Sequence, residues 1–203
     1  MVVSAPAPDC ALCPRLAAFR AANAADHPDW FNAPVPSFGA PGSAFLVVGL
    51  APGRRGANRT GRPFTGDFAG DLLYGALLET GLASGAYQAR PDDGLTLHDC
   101  RIVNAVRCVP PENKPTPKEI TTCRRFLVDE LGPGPNPRVI LALGRIAHEA
   151  VLRALGLRLA AHPFGHGAVH ALPDGRRLFD SYHCSRYNQN TRRLTPEMFR
   201  AVM

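Results

Sequence analysis

The chain alternates between short unbroken apolar runs and longer segments in which apolar residues recur at helical spacing. Phe45–Gly49 and Val139–Leu143 are strand-length apolar runs that predict buried strands, and Arg101–Val106 reads as a short strand ending in Asn104. Cys13–Ala24 reads as a helix, with Leu12, Leu16 and Phe19 near one face. Gly70–Thr80 repeats that pattern through Leu72, Leu73 and Leu77, and Gly81 stops it. Thr116-Pro117-Lys118-Glu119 is a capping box with proline at the first helical position, so a helix runs to about Leu131. A helix over Arg145–Leu155 follows the third strand through Gly144. The Pro173-Asp174-Gly175 turn joins two short strands, the second ending near Tyr182, and Thr195-Pro196-Glu197 opens a last helix. Strands alternating with helices predict a mainly parallel sheet covered on both faces. Residues near Ala51, Asn104, Gly144 and His183 then follow successive strands and share one sheet edge. Open α/β sheets bind ligands at that edge.

Composition narrows the class. The 203 residues are 45% apolar and 20% charged, which fits a single globular domain over 1–203. The formal net charge of +6 favours an anionic partner, nucleic acid first among them. The N-terminus shows no charged segment followed by an apolar run, and no apolar stretch is long enough to span a bilayer. The expectation is a cytoplasmic protein without membrane attachment, in which the cysteines do not form a disulfide framework.

Cys10 and Cys13 form a C-x-x-C pair, while Cys108 and Cys123 bracket a Pro-rich loop and the first turn of a helix. Four thiolates suit zinc or an iron–sulfur cluster, and the spacing leaves both open beside a set of ordinary buried thiols. Cys100 reads as a core residue; Cys184, beside His183, reads as packing or mildly reactive.

The loop Gly49-Leu50-Ala51-Pro52-Gly53 and its continuation Gly56-Ala57-Asn58-Arg59-Thr60-Gly61-Arg62-Pro63-Phe64-Thr65-Gly66-Asp67 hold small residues, bases, one aromatic ring and one carboxylate. With Asn104-Ala105-Val106-Arg107-Cys108, Ala142-Leu143-Gly144, and Ser181-Tyr182-His183 through Leu194-Thr195-Pro196-Glu197-Met198, this ordered set spans nearly the whole chain. It resembles the iron–sulfur branch of the uracil-DNA glycosylase superfamily, most closely the B-type group called family 5. The resemblance implies a three-layer α/β/α domain around a four-stranded, mainly parallel sheet. It also implies a [4Fe-4S] cluster on Cys10, Cys13, Cys108 and Cys123. The implied activity is excision of uracil and related deaminated bases from DNA, by a monomer.

The implied roles follow residue by residue. His183 donates to a pyrimidine carbonyl oxygen, Phe64 stacks on the extruded base, and Asn104 reads the pyrimidine edge. Gly49, Ala51, Pro52, Gly53 and Asn58 complete the substrate-binding set. Asp67 orients water or offsets sugar charge, with Asn58 second for that task; Asp67 serves equally as a helix cap. Ala51 stands where many members carry a polar side chain, so leaving-group stabilisation carries more of the barrier and base tolerance broadens. His183-Cys184-Ser185 departs from the usual His-Pro-Ser, which predicts a less rigid loop, and Arg186-Tyr187-Asn188 leaves the duplex wedge unassigned. Arg54, Arg55, Arg59, Arg62, Arg186, Arg192 and Arg193 are expected as a phosphate-facing surface with strong salt dependence. A non-catalytic damaged-DNA-binding protein using the same pocket is the alternative. A metal-bound redox or nucleotide-binding protein is a third reading, weakened because no G-x-G-x-x-G opens a helix.

Overall fold

The computed structural model describes residues 5–134 and 136–203. Helix α1 (Pro14–Asp26) precedes strand β1 (Phe45–Gly49), the single-turn helix α2 (Ala57–Thr60) and helix α3 (Phe68–Glu79). A small hairpin, β2 (Ala83–Ser84) with β3 (Thr96–Leu97), leads into β4 (Cys100–Asn104). Then come α4 (Pro117–Leu131), β5 (Val139–Leu143) and α5 (Arg145–Ala154). Strands β6 (Val169–Ala171) and β7 (Arg177–Ser181) and helices α6 (Arg186–Asn190) and α7 (Pro196–Arg200) complete the order.

The sheet runs β4-β1-β5-β7-β6, and its first four strands are parallel. It therefore has five strands rather than the expected four. The turn at 173–175 folds β6 back onto β7, so the additional strand is antiparallel and lies at the edge. The β2–β3 hairpin lies in a stretch where no strand was expected. Chain direction puts the carboxyl ends of β4, β1, β5 and β7 along one edge, as the alternating pattern predicts.

Alternation within β1 divides the core. Leu46 and Val48 join Val103, Ile140 and Leu178 against α4 and α5, through Leu127, Leu131 and Val151. Val47 faces the other way, with Ile102 and Leu141, against Leu73 and Leu77 of α3 and Phe199 of α7. This is the three-layer arrangement. The α4 capping box is formed in full: Thr116 Oγ1 accepts from the Glu119 N–H, and the Glu119 carboxylate accepts from the Thr116 N–H at 2.7 Å. Helix α1 lies outside the two large clusters. Its Leu16 packs on Val106 and Phe126 around Cys108 and Cys123.

Candidate active site and cysteine centre

Parallel register sets Gly49 of β1 beside Asn104 of β4 at the sheet edge. A side chain at Gly49 has no room, since a Cβ there would fall 2.5 Å from Phe64 Cζ and onto the Asn104 amide oxygen. Gly49, Phe64 and Asn104 thus meet at one point. Phe64 adopts a left-handed backbone, φ 54°, unusual for a bulky residue. Its neighbours clamp it there: Tyr87 donates to the Phe64 carbonyl at 3.1 Å and Tyr74 to the Pro63 carbonyl at 2.6 Å. The Phe64 ring centroid lies 6.0 Å from that of His183, the planes tilted by 30°. Asn104 is buried, and its Oδ1 has no hydrogen-bond partner. Leaving such an acceptor unpaired costs on the order of 1–3 kcal/mol, a cost that a ligand donor would remove.

His183 stands on the loop after β7. Asn188 Nδ2 donates to its carbonyl at 2.8 Å, and Gln189 Nε2 donates to the Cys184 carbonyl at 2.7 Å. Ser185 caps α6 by accepting from the Asn188 N–H. Two side-chain amides therefore hold the loop that lacks the usual proline. Burial lowers the His183 imidazole to about 4, so it is neutral at neutral pH. Cys184 is wholly buried in the core with its thiol pushed up, which settles it as packing.

A cleft of about 800 Å³ opens over this edge, lined by Ala51, Gly53, Arg55, Asp67, His183 and Tyr187 among others. Asn104 and Phe64 do not line the cleft. Asp67 lines the cleft and also caps the helix that follows it. Its Oδ1 accepts from the Ala69 N–H at 3.1 Å and caps α3, which starts that helix at Phe68 rather than Gly70. Its Oδ2 lies beside the cleft loop, 3.0 Å from where a Cβ on Gly53 would sit. Burial raises the Asp67 carboxyl above its ordinary value.

Other residues depart from expectation. Asn58 is fully buried, donates to Asn32 Oδ1 at 3.0 Å, and is absent from the cleft wall. Pro52 is buried and does not line the cleft. Arg62 is not a phosphate-facing residue. Its guanidinium is buried in a bidentate pair with Asp93 at 2.8 and 2.7 Å, beside the rings of Phe38, Tyr74 and Tyr87. Arg54, Arg55 and Arg186 do line the cleft. Arg193 joins Arg145 in an adjoining pocket of about 310 Å³ that shares Leu50 and His183. Tyr187, 71% exposed on the rim, stands in the stretch that sequence alone left unassigned.

Cys10, Cys13, Cys108 and Cys123 line one cavity between α1, the loop after β4 and α4. All are free thiols. Cys13 is the N-cap of α1, so the C-x-x-C pair sits at that helix start. Burial raises the thiols of Cys13 and Cys108, and that of Cys123 to about 11. Two donors aim at the sulfurs: Arg20 Nη1 lies 3.0 Å from Cys108 Sγ, and the Arg107 N–H points to Cys123 Sγ at 3.4 Å. Such donors suit metal-bound thiolates. Among the described residues the one group of three ligand-type atoms within 4.8 Å of one another is His148, His170 and Asp180; no three cysteine sulfurs are that close. A single tetrahedral zinc would hold its sulfurs about 3.8 Å apart. Cys100 lies in the core, as expected.

A family model described as the uracil DNA glycosylase superfamily matches residues 36–203. A type-5 uracil-DNA glycosylase of Thermus thermophilus is 52% identical over 200 residues, covering 96% of this chain and 90% of that protein. One from Pyrobaculum aerophilum is 41% identical over 199 residues, covering 96% and 86%. A type-4 uracil-DNA glycosylase of the latter organism matches 61% of this chain at 35% identity. Among the described residues no helix is long and apolar enough to cross a membrane.

Proposed function

The chain belongs to the uracil DNA glycosylase superfamily, and from that membership we propose that it hydrolyses the N-glycosidic bond of uracil in DNA, the first step of base-excision repair. One observation carries the reading at the level of residues: Gly49, Phe64, Asn104 and His183 converge at the strand tips around an unpaired buried acceptor. The non-catalytic alternative finds no support, since the relatives are glycosylases by name. Release of free uracil from a U:G duplex by the purified protein, matched by an equal yield of abasic sites, is the expected result. Retention of uracil in the strand would overturn the reading.

Extruding the nucleotide costs a few kcal/mol. Phe64 recovers part of that by stacking. Asn104 Oδ1 accepts from the uracil N3–H, and its amide N–H donates to O4; cytosine presents the opposite pattern at both atoms. As the bond to deoxyribose lengthens, negative charge gathers on the base and positive charge on the sugar. The neutral His183 imidazole donates to the charging O2, at the place where such a donor lowers the barrier most. The Asp67 carboxylate offsets the sugar charge and orients the water; Ala51 has no group for that task. Tolerance of other deaminated bases follows from the leaving-group emphasis and the small side chain at Ala51.

The cysteine set would hold a [4Fe-4S] cluster through Cys10, Cys13, Cys108 and Cys123, with the protein acting as a monomeric single domain in the cytoplasm. When bound, the cluster supplies a covalent cross-link among α1, the Cys108 loop and α4.

Two predictions arise here. Tyr187 is exposed on the cleft rim, and this reading assigns it to fill the gap left by the extruded base. Tyr187→Ala should slow uracil release from duplex DNA about tenfold and from single strands much less, because only the duplex pays for unstacking. Equal losses on both substrates would contradict that role. Asp67 must be ionised to act, and burial raises its carboxyl. Activity is then lost as pH falls through that raised value, so the acid limb starts above the ordinary aspartate range. Asp67→Asn should lower the rate and remove this limb, as a pH–rate profile would record.

A further inference from the structure

We propose that Arg20 is the buried counter-ion of the cysteine-bound cluster, and that α1 transmits this anchorage to the DNA cleft; the inference rests on the [4Fe-4S] reading above. Arg20 is 7% exposed, yet among the described residues no carboxylate lies within ion-pair distance of it. Its two contacts are Cys108 Sγ and the Cys10 carbonyl, each at 3.0 Å. The other buried guanidinium groups each face a carboxylate, Arg62 that of Asp93 and Arg107 that of Glu130, which it shares with Arg101. A buried cation facing only a carbonyl and a neutral thiol would carry a desolvation penalty with nothing to offset it. Four thiolates around an iron–sulfur core are net negative, and they supply the missing anion at the place where Arg20 points. Arg107 turns its guanidinium to Glu130 and meets Cys123 only through its backbone N–H.

The same helix reaches the cleft. One turn beyond Arg20, the buried Asn23 accepts from Arg54 Nε at 2.5 Å, and Arg54 lines the cleft. A filled cluster site thereby fixes the helix that positions a DNA-facing arginine.

The test uses the purified full chain. Iron and acid-labile sulfide, with visible absorbance, first establish the cluster; their absence overturns the cofactor reading and this inference together. With the cluster present, Arg20→Gln should speed its loss to a chelator about tenfold, the scale of one charge-assisted hydrogen bond. It should also lower the midpoint potential, since reduction adds negative charge next to a lost cation. Arg20→Lys should keep the potential near wild type with an intermediate cluster lifetime, and it carries the test if the glutamine variant does not accumulate. Wild-type lifetime and potential in these variants would overturn the counter-ion role while leaving the cofactor reading intact. Asn23→Ala should weaken duplex binding with the potential unchanged; undiminished binding would overturn the strut.

Discussion

His183→Ala should lower single-turnover uracil release by about 10²–10³-fold, the usual effect of removing one donor aimed at charge that develops in the transition state. Binding of uracil-containing duplex should change far less, because the hydrogen bond strengthens only as the glycosidic bond breaks. The imidazole, lowered to about 4 by burial, is neutral throughout the working range. Replacing it should therefore leave the shape of the pH–rate profile near neutrality unchanged. Loss in the variant of a wild-type limb near the ordinary histidine range would show that the imidazolium, rather than the neutral ring, is the donor. The Asn188 and Gln189 amides hold the surrounding loop independently of the ring, so the variant should fold normally.

Asn104→Ala should give the second large effect, about 10²-fold or more on uracil release, with an unusual accompaniment. Most buried polar residues are satisfied, and deleting them destabilises the fold. Asn104 Oδ1 has no partner within the protein, so its removal breaks no internal hydrogen bond at that oxygen. Stability measured by denaturant titration should hold or rise while activity falls. Discrimination against cytosine should shrink in the same variant, since alanine reads neither edge. A variant that unfolds readily, and loses activity only in proportion, would mean that Asn104 braces the strand tip instead.

Much of this was legible in the chain. The unbroken apolar runs at Phe45–Gly49 and Val139–Leu143 are strands over those residues, and the Thr116–Glu119 box starts its helix where its chemistry requires. Asn104 and His183 fall at the ends of parallel strands, so their convergence follows once the alternation of elements is recognised. What could not be read depends on distant partners. Arg62, between Gly61 and Pro63, has the local character of a surface loop, but Asp93 lies 31 residues away and buries it. The Asn58 amide nitrogen is likewise taken up by Asn32, 26 residues earlier, although its Oδ1 has no partner in the protein. Strands of two residues, as in β2 and β3, are too short to show any period. Arg20 shares its helix with Arg15 and Asp26, and nothing local sets it apart; only the fold shows that it is buried against Cys108 without a carboxylate.

A crystal structure of the protein with DNA carrying an uncleavable uridine analogue tests the central claim most directly. The flipped base should lie against the Phe64 ring, with N3 in hydrogen-bond reach of Asn104 Oδ1 and O2 within reach of the His183 imidazole. An analogue base left stacked in the duplex, or seated in the cleft with the Asn104 oxygen still unpaired, would contradict the account.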